Sequence, residues 1–431
     1  MTAEKPASQA AILYVIPAYP PLASQPFVVN EMIEVGRAGH PLVVLPLYPG
    51  PEEAVRHGTF AALRPDAVLP PPLLDLRTIL LALLVLLRHP LRALGCLAQL
   101  HLAAGLNPFA HARLVAITPK ALAAVWRVRG MGVRHIHAHF ANQTADCAAI
   151  VGAVAGLPFS FTAHAYDIYS RAPRLRNETL GWKVRHARRV FTVSEYAARR
   201  LRTFLPPATD GRVTTSYVGI PLDVFDQTPP RADGPGLRLL CVARFCEKKG
   251  LDTLIDACGD LQARGVPFEL SLFGEGPLHA ALNAQIRRLG LGTSVRLGGP
   301  ISQEDVAQRL RACDVFVMPC RQDSTGDMDG IPTVFMEALA TGRPVVGGAV
   351  SGVPELVRDG ETGILVPPDD PGAVADALVR LAEDRGLRER LGRGGRALVE
   401  TQHDQRHTTR RMLALLEDVL GPPVDPSGRG C

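Results

Sequence analysis

Residues 326–340 read Gly-Asp-Met-Asp-Gly-Ile-Pro-Thr-Val-Phe-Met-Glu-Ala-Leu-Ala, a turn that leads into an apolar helix. Pro332 suits the first helical position, and neither Gly330 nor Ile331 offers a side-chain oxygen to cap the free amides of the first turn. Those amides can bind an anion such as a diphosphate, and Glu337 on the same helix can accept hydrogen bonds from vicinal hydroxyls. The stretch therefore predicts a site for a phosphorylated ligand. The alternative is an ordinary strand-loop-helix unit whose two acids, Asp329 and Glu337, are solvated.

Short apolar strands alternate with helical stretches on both sides of this segment. In the second half we predict strands at Leu237 to Ala243, Phe268 to Phe273, Ser294 to Leu297, Val315 to Pro319, Pro344 to Gly347 and Gly363 to Val366. In the first half we predict them at Ile12 to Ile16, Leu42 to Leu47, His135 to Phe140, Phe159 to Thr162, Val190 to Val193 and Val213 to Val218. This alternation favours an α/β fold with parallel sheets covered by helices, which bind ligands at the carboxyl ends of their strands.

The length of 431 residues suits two domains. A Pro/Gly-rich stretch, 227–236, is the best linker candidate. We therefore predict an N-terminal domain at 1–228 with a helical insertion at about 73–128, a C-terminal domain at 229–420, and a disordered tail at 421–431. The polar first ten residues and the lack of an apolar run near the ~20 residues of a membrane span predict a cytoplasmic protein. The scattered cysteines indicate reduced thiols.

Charge is distributed unevenly along the chain. Residues 1–225 hold 23 Lys and Arg against 13 Asp and Glu, a balance of +10, and the rest holds 24 against 29, a balance of −5. A basic first half suggests contact with an anionic membrane or a phosphate-bearing substrate. Nucleic acid is disfavoured, because aromatic residues make up only 5% of the chain and no basic stretch is interleaved with them.

The predicted insertion contains Thr78 to Leu87, an almost wholly apolar run followed by Arg88, His89 and Arg92. A basic apolar helix of this kind can lie in a membrane interface. It can equally be a helical insertion packed on its own domain. Both interpretations stay open, and the basic first half tips the balance slightly towards the membrane.

Several charged and glycine residues follow strands of the second half. Arg244 comes just after the first of these strands, and Lys249 stands five residues later, so both can neutralise a departing diphosphate. The alternative is a solvated basic loop. The next strand ends at Gly274-Glu275-Gly276, whose glycines can let a ligand approach the backbone. Asp327-Met-Asp329 could bind a divalent metal, but we expect no metal because Arg244 and Lys249 already supply positive charge.

Histidines end two strands of the first half. His164 follows one of them and could hydrogen-bond a sugar or assist proton movement, although a structural role is equally open. His137 and His139 lie on the other strand. We expect their side chains to point to opposite faces, so that at most one lines a ligand site.

Taken in order, these motifs resemble the retaining GT-B glycosyltransferases of family 4, particularly the exopolysaccharide (colanic-acid-type) branch. The matching segments are Ser24-Gln-Pro-Phe27, Asn30-Glu31, Gly39-His40, His137-Ala-His-Phe140, Phe159 to Tyr169, Glu247-Lys-Lys-Gly250, Gly274-Glu-Gly-Pro277, Asp329-Gly-Ile-Pro332 and Met336-Glu-Ala338. The resemblance implies two Rossmann-like, doubly wound parallel-sheet domains facing a cleft. It also implies a nucleotide-sugar donor on the C-terminal domain, an acceptor on the N-terminal one, and no metal.

The resemblance also implies roles for individual residues. Arg244 and Lys249 would bind the donor diphosphate, and Glu337 would bind the ribose hydroxyls. Asp329 and the amides of the turn would meet the transferred sugar and the phosphates, and His164 would contact that sugar from the opposite side. The residues of the turn are Gly330, Ile331, Pro332 and Thr333, and Gly274 and Glu275 complete the donor site. The chain departs from the family pattern at Asp329, where Glu is usual, and at Gln25, where a related branch often has Glu.

The leading prediction is a hexosyltransferase that extends a lipid-linked or polysaccharide acceptor in exopolysaccharide or cell-envelope glycan synthesis. A nucleotide-sugar epimerase on the same fold and a non-catalytic nucleotide- or glycan-binding scaffold are the alternatives. A dehydrogenase is set aside, because Pro17-Ala-Tyr-Pro-Pro21 stands after the first strand in place of a Gly-x-Gly-x-x-Gly motif.

Overall fold

The alternating pattern of the sequence folds into two α/β units in the computed structural model of the chain. The structure describes residues 10–21, 25–51, 62–69, 75–228, 234 and 236–420. The first unit combines the residues up to Gly219 with those from Gln405 onward, and the second unit spans Ile220–Asp404. The predicted tail at 421–431 and most of the predicted linker lie outside the described residues.

The first unit contains a seven-stranded parallel sheet of order β3-β2-β1-β4-β5-β6-β7. Its strands are β1 Ala11–Tyr19, β2 Leu42–Pro49, β3 Ala67–Val68, β4 Val133–His139, β5 Phe159–Ala163, β6 Arg189–Thr192 and β7 Val213–Thr215. Its helices up to this point are α1 Pro26–Arg37, α2 Leu76–Arg88, α3 Pro90–Ala103, α4 Pro108–Arg127, α5 Gln143–Ala155, α6 Tyr166–Tyr169, α7 Leu180–His186 and α8 Glu195–Arg202. The predicted strands of this half are confirmed, although the two-residue β3 was not predicted.

Helices α2, α3 and α4 occupy the predicted insertion, whose first two residues, 73 and 74, lie outside the described part. Thr78, Ala82 and Val85 on one side of α2 are buried. No single described helix is long and apolar enough to cross a membrane, but α2 and α3, bent by 106° at His89, pass the length and composition criteria as a pair.

The second unit contains a six-stranded parallel sheet of order β10-β9-β8-β11-β12-β13. Its strands are β8 Leu237–Val242, β9 Phe268–Phe273, β10 Val295–Gly298, β11 Val315–Met318, β12 Val345–Gly348 and β13 Gly363–Val366. Its helices are α9 Leu251–Ala263, α10 His279–Arg288, α11 Gln303–Ala312, α12 Thr333–Ala340, α13 Val353–Leu356, α14 Pro371–Glu383 and α15 Arg385–Gln402. Both sheets are wholly parallel, as the alternation predicted.

The division between the units differs from the predicted one at both ends of the second unit. Helices α16 Gln405–Ala414 and α17 Glu417–Leu420 pack with the first unit, where Met412 and Leu416 share a buried cluster with residues of β1 and α1. Residues 220–228 belong to the second unit, because the carbonyl of Phe225 accepts a hydrogen bond from Arg396 at 2.9 Å.

Candidate donor site and histidine cluster

The carboxyl edge of the second sheet brings together the segments that were predicted to bind a donor. Strands β8, β9 and β11 are neighbours and run parallel, so the segments that follow them leave the sheet at the same edge. Arg244 and Lys249 follow β8, Gly274 and Glu275 follow β9, and the segment after β11 leads to Asp329 and α12. Ligands of open parallel sheets bind at this edge.

Two lysines and two aspartates form a compact ion cluster at this edge. Nζ of Lys249 lies 2.6 Å from Oδ2 of Asp329. Nζ of Lys248 lies 2.8 Å from Oδ2 of Asp327 and 3.4 Å from Oδ1 of Asp329. Both carboxylates of the Asp-x-Asp pattern are thus neutralised by lysines. Lys248 was not predicted as a site residue, because its contacts depend on tertiary structure that its position in the sequence does not indicate.

The ion pairs of the cluster favour the charged forms of Asp329 and Lys249. Burial alone would raise the pKa of Asp329, but Lys249 and Lys248 outweigh that effect and hold the pKa below its ordinary value. Burial would likewise lower the pKa of Lys249, but Asp329 outweighs it and the pKa is raised. An ion pair held in this way stabilises both charged forms over a wide pH range.

Arg244 is the exposed cation of the site. Its contact with the Cys246 side chain, together with the nearby Asp329 and Asp327, holds the pKa of the guanidinium above its ordinary value. No hydrogen bond joins it to an acid among the described residues, unlike the two lysines. A guanidinium in that position is available to a phosphate group, with which it can form two parallel hydrogen bonds.

Helix α12 begins at Thr333, one residue later than predicted, because Pro332 adopts the extended backbone conformation of a capping residue. No side chain caps this end of the helix. Gly330, Ile331 and Pro332 are buried. The amides of the first turn are therefore not bound by a side-chain cap, and an anion is the partner that the helix dipole favours.

Glu337 is 7% exposed, and its carboxyl group has no hydrogen-bond partner among the described residues. Burial raises its pKa from 4.5 to about 7. A buried carboxyl group without a partner is costly to fold, and a ligand that donates hydrogen bonds to it would offset that cost.

We expect Glu337→Gln to raise the stability of the protein at alkaline pH. In the native protein the folded pKa lies above the unfolded one, so stability falls as pH rises from about 4.5 to about 7, and the cost persists above that range. Glutamine removes this cost, a gain of about 1–3 kcal/mol at pH 8 that shrinks towards pH 5. Urea denaturation at the two pH values measures it. Glu269→Gln, at an exposed position of β9, is the control and should show no such pH dependence. A loss of stability in Glu337→Gln at pH 8 would contradict the argument.

The glycines after β9 serve a packing purpose within the unit. Gly274 and Gly276 have φ values of 138° and 154°. A Cβ atom at Gly274 would lie 1.9 Å from the carbonyl oxygen of Ala243, and one at Gly276 would lie 2.4 Å from that of Phe245. The glycines thus let the segment after β9 pack closely against the segment after β8, which carries Arg244. This packing explains why glycines stand here, whereas the prediction was that they let a ligand approach the backbone. Glu275 is exposed, and its backbone carbonyl accepts a hydrogen bond from Phe245.

The histidines of the first unit form a cluster at the ends of β4 and β5. His139 Nδ1 lies 3.2 Å from Nε2 of His164, and His139 Nε2 lies 3.2 Å from Oε1 of Glu31. His137 Nε2 lies 3.7 Å from the same Glu31 oxygen. The prediction that His137 and His139 face opposite ways is wrong, because residues two apart on a strand share a face. Glu31, which the sequence indicated only as part of a family motif, joins the two.

Comparison with known protein families identifies part of the chain. Residues 236–384 match the family described as glycosyl transferases group 1. This segment is a glycosyl transferases group 1 domain. The group 1 domain contains every predicted donor-site residue, from Arg244 and Lys249 to Glu337, whereas His164 lies outside it.

Two relatives named for polysaccharide synthesis resemble a larger part of the chain. WcaL of Salmonella typhimurium, named as a colanic acid biosynthesis glycosyltransferase, is 34% identical over 229 residues, which cover 53% of this chain and 56% of WcaL. AmsK of Erwinia amylovora, named as an amylovoran biosynthesis glycosyltransferase, is 36% identical over 206 residues, which cover 48% of this chain and 51% of AmsK. The chain therefore spans about half the length of the curated relatives it matches. The predicted resemblance to colanic-acid-type glycosyltransferases is confirmed.

Solved structures resemble nearly the whole chain. HepE of Anabaena, crystallised in complex with UDP, superposes with a TM-score of 0.68 at 17% identity, covering 95% of this chain and 100% of HepE. At that identity the likeness concerns the fold. Together with the two parallel sheets, it confirms the predicted GT-B class.

Proposed function

We propose that the protein is a retaining hexosyltransferase. It would move a sugar from a nucleotide-diphosphate sugar to a lipid-linked or polysaccharide acceptor in exopolysaccharide or cell-envelope glycan synthesis. The observation that carries this proposal is the buried, unpartnered Glu337 on an uncapped helix, beside Arg244 and the lysine–aspartate cluster, inside a group 1 domain. Relatives named for colanic acid and amylovoran synthesis support the substrate class.

The charges of the site suit a nucleoside diphosphate. Lys248 and Lys249 match the negative charge of Asp327 and Asp329, so that Arg244 and the uncapped amides of α12 make the site as a whole positive. A diphosphate placed there gains favourable contacts as negative charge develops on the leaving group. Glu337, four residues after Thr333, is then in reach of a ribose attached to that diphosphate.

We also propose that the sugar transfer needs no metal ion. Lysine Nζ atoms lie within 3.4 Å of both carboxylates of the Asp-x-Asp pattern. A divalent cation would have to displace these lysines, and they already supply the charge that it would bring. Transfer should therefore proceed undiminished in excess EDTA.

Retention of configuration is part of the same proposal. The sugar would pass through an oxocarbenium-like transition state, in which the departing phosphate removes the proton of the attacking hydroxyl. In this proposal Arg244 and Lys249 would stabilise the charge that develops on the phosphate, and Asp329 with the turn amides would contact the phosphates and the sugar. Water must be excluded, because it is a competing acceptor.

The decisive experiment incubates the full chain with radiolabelled nucleotide sugars and bacterial membranes. Label should move to a lipid or polysaccharide fraction, and product analysis should find the anomeric configuration of the donor retained. A thermal-shift screen with UDP, GDP and ADP identifies the base, because a ligand that binds only the folded state raises the melting temperature. Absence of both transfer and donor hydrolysis with every common donor would reject the proposal.

Two other functions are distinguished by the same assay. An epimerase would change the sugar of the donor without membranes, whereas a transferase requires an acceptor. A non-catalytic scaffold would bind a nucleotide or glycan and release no product.

We further propose that helices α2 and α3 bind an anionic membrane. Nine leucines on these helices and just after them are half or more exposed, and we refer to them as the leucine surface: Leu76, Leu80, Leu83, Leu84, Leu87, Leu91, Leu94, Leu102 and Leu106. Arg77, Arg88 and Arg92 on the same helices are exposed, and neither helix contains an acidic residue. Apolar side chains beside cations that have no ion-pair partner in the described part of the chain fit a bilayer with anionic headgroups, which a lipid-linked acceptor would also occupy. Placement at the cytoplasmic side of that membrane stays a prediction.

We expect the protein to sediment with vesicles that contain phosphatidylglycerol and to remain in the supernatant with purely zwitterionic ones at moderate salt. Leu83→Glu combined with Leu87→Glu should reduce the bound fraction about tenfold or more, because a bilayer strongly disfavours carboxylates. Tyr196→Glu, at an exposed position on α8, is the control and should bind like the native chain. Full recovery of the native chain in the supernatant at low salt would refute membrane binding.

A further inference from the structure

A groove of about 710 Å³ lies in the first unit, at the amino edge of its sheet. Phe159, the first residue of β5, lines it, as do Arg188 and Arg212, which directly precede β6 and β7. Helices α3, α5 and α7 form its walls. The histidine cluster lies at the other ends of the strands, so the five residues of β5, roughly 15 Å, separate it from the groove. The groove is therefore distinct from the sites described above.

Arginine side chains from three separate segments meet in this groove, which we call the arginine groove. Arg92 comes from α3, and Arg188 and Arg212 come from the segments before β6 and β7. No acidic residue is found among the described residues that line it. Arg188 is paired with Asp418 of α17, and Arg212 donates to the backbone carbonyl of Arg185 at 3.1 Å. Arg92 has neither a hydrogen bond nor an ion pair with a described residue, so its charge is available to an anion.

The rest of the lining is largely apolar and includes an oriented tryptophan. The indole of Trp182 stacks on the ring of His186, with the ring centroids 4.0 Å apart. Its Nε1 donates to Oε1 of Gln99 at 3.0 Å. Leu157 and Phe159 also line the groove. A ligand that matches this lining has an anionic group joined to an apolar part.

Helix α3 connects the arginine groove with the leucine surface. Four of its residues, at the spacing i, i+3, i+4 and i+7 of one helix face, line the groove, namely Arg92, Gly95, Cys96 and Gln99. Leu91 lines the groove as well, is 88% exposed and belongs to the leucine surface. The groove and the surface proposed above to bind a membrane therefore share an edge.

We propose that the arginine groove binds the phosphate group of one anionic phospholipid, whose acyl chains extend over the leucine surface. A phosphodiester accepts charge-assisted hydrogen bonds from guanidinium groups, and a headgroup with net negative charge suits a lining without acids. Because the groove lies at the amino edge of the sheet, this lipid would anchor the first unit and would not serve as the sugar acceptor. The proposal rests on the membrane binding proposed above and adds to it a specific, saturable site.

A purely structural role is the competing explanation for Arg92. Its Nη1 lies 3.5 Å from the position that a Cβ atom would take at Gly156, the residue that caps the end of α5. A cation there stabilises the helix dipole. The two explanations differ in lipid binding, which depends on Arg92 only if the groove holds a lipid.

The test measures binding of a soluble short-chain lipid to the full chain. The chain has two tryptophans, so Trp126→Phe leaves Trp182 of the arginine groove as the sole fluorescent indole. Dihexanoyl phosphatidylglycerol, kept below its micelle concentration, should change the Trp182 fluorescence saturably, and calorimetry should find one molecule per chain. Dihexanoyl phosphatidylcholine and inorganic phosphate should each bind about tenfold or more weakly, because the first has no net charge and the second has no apolar part.

Arg92→Gln combined with Arg212→Gln should lower the affinity for the short-chain phosphatidylglycerol about tenfold or more, through the loss of charge-assisted contacts. Arg77→Gln with Arg88→Gln is the matched control, because it removes the same charge from exposed positions of α2 outside the groove. Gly95→Leu fills the groove without changing the charge. A Cβ atom there would meet nothing within 4 Å, so this variant should fold, as thermal denaturation can verify, and lose lipid binding.

Three results would overturn the phospholipid site. Equal losses of affinity in the two double variants would assign binding to the overall charge of the protein. Undiminished binding in Gly95→Leu would place the lipid elsewhere. Inorganic phosphate that binds as tightly as the short-chain phosphatidylglycerol would make the groove a site for free anions.

Sedimentation with vesicles separates this proposal from membrane binding itself. Vesicles of phosphatidylglycerol that sediment the native chain, while the short-chain lipid does not bind, would reject the groove and leave the leucine surface as the membrane contact. Binding of the short-chain lipid without sedimentation would reject membrane binding by the leucine surface, while the groove keeps its ligand.

Discussion

Replacing Lys249 by methionine is expected to lower the kcat of sugar transfer by about a hundredfold to a thousandfold, the usual loss when a preorganised cation or donor is removed from developing charge. Lys249 Nζ lies 2.6 Å from Asp329, in the cluster after β8. Methionine keeps the apolar stem, so packing around the side chain is preserved. The positive charge that Lys249 places beside the departing phosphate, by contrast, is lost.

The variant should remain folded. Asp329 keeps Lys248 as a partner at 3.4 Å, so no carboxylate is left wholly without a cation. Thermal denaturation checks this directly. Steady-state kinetics with varied donor then separate kcat from KM.

Lys248→Met is the matched comparison, because it removes the same charge from the neighbouring position. Lys248 is bound mainly to Asp327, at 2.8 Å. We expect its replacement to lower kcat only about tenfold, because this lysine does not meet the reacting charge. Equal losses in the two variants would mean that both lysines act through the electrostatic field of the site. A native rate in Lys249→Met would exclude Lys249 from the donor site.

The sequence predicted the second sheet better than any other part of the molecule. Its six strands lie within one residue of the predicted bounds, because strands buried on both faces of a parallel sheet are nearly continuous apolar runs. Strand β3 has no such run. Its two residues, Ala67 and Val68, pair with β2, and no periodicity can be recognised in so short a segment.

The return of the chain to the first unit after α15 could not be predicted. Helix α16 is polar overall, and the residues that fix it are distant in sequence. Gln405 Nε2 donates to Glu34 at 3.1 Å across 371 positions. A single sequence contains no signal for such a contact, so the predicted domain boundary followed the Pro/Gly-rich linker instead.

Within the candidate site, positions were predictable and partners were not. Strand ends and an uncapped helix start placed Arg244, Lys249 and Glu337 at one sheet edge, because the topology of a parallel sheet alone does so. The pairing of Lys249 with Asp329 and that of His139 with Glu31 arise only when distant segments pack together. Their roles in binding stay predictions until the variants are measured.

Asp329→Asn is expected to destabilise the second unit by about 3 kcal/mol, since removal of one member of a buried ion pair leaves an uncompensated charge. Asp329 lies against Lys249 at 2.6 Å and Lys248 at 3.4 Å. Asparagine therefore leaves Lys248 paired with Asp327 and Lys249 with no ion-pair partner among the described residues. Urea denaturation at neutral pH measures the loss.

The double variant Asp329→Asn with Lys249→Met tests the cause. It removes both charges of the 2.6 Å pair, so it should regain most of the lost stability, with a coupling energy of about 2 kcal/mol or more between the two positions. Additive effects would show that Asp329 stabilises the fold through its backbone turn and not through Lys249.

The pH dependence gives an independent check. The pKa of Asp329 is lowered in the folded state, so its stabilisation is complete above the unfolded pKa and is lost as pH falls through the folded value. The pKa of Lys249 is raised, so its share is complete below the unfolded pKa and is lost only in strongly alkaline solution. The difference in the free energy of unfolding between the native chain and Asp329→Asn should therefore be constant from about pH 5 to about pH 9, and it should shrink in acid. Glu337→Gln should instead change its effect within that range, because burial raises the pKa of Glu337 to about 7. The two carboxyl groups of the same site are therefore distinguishable by pH alone.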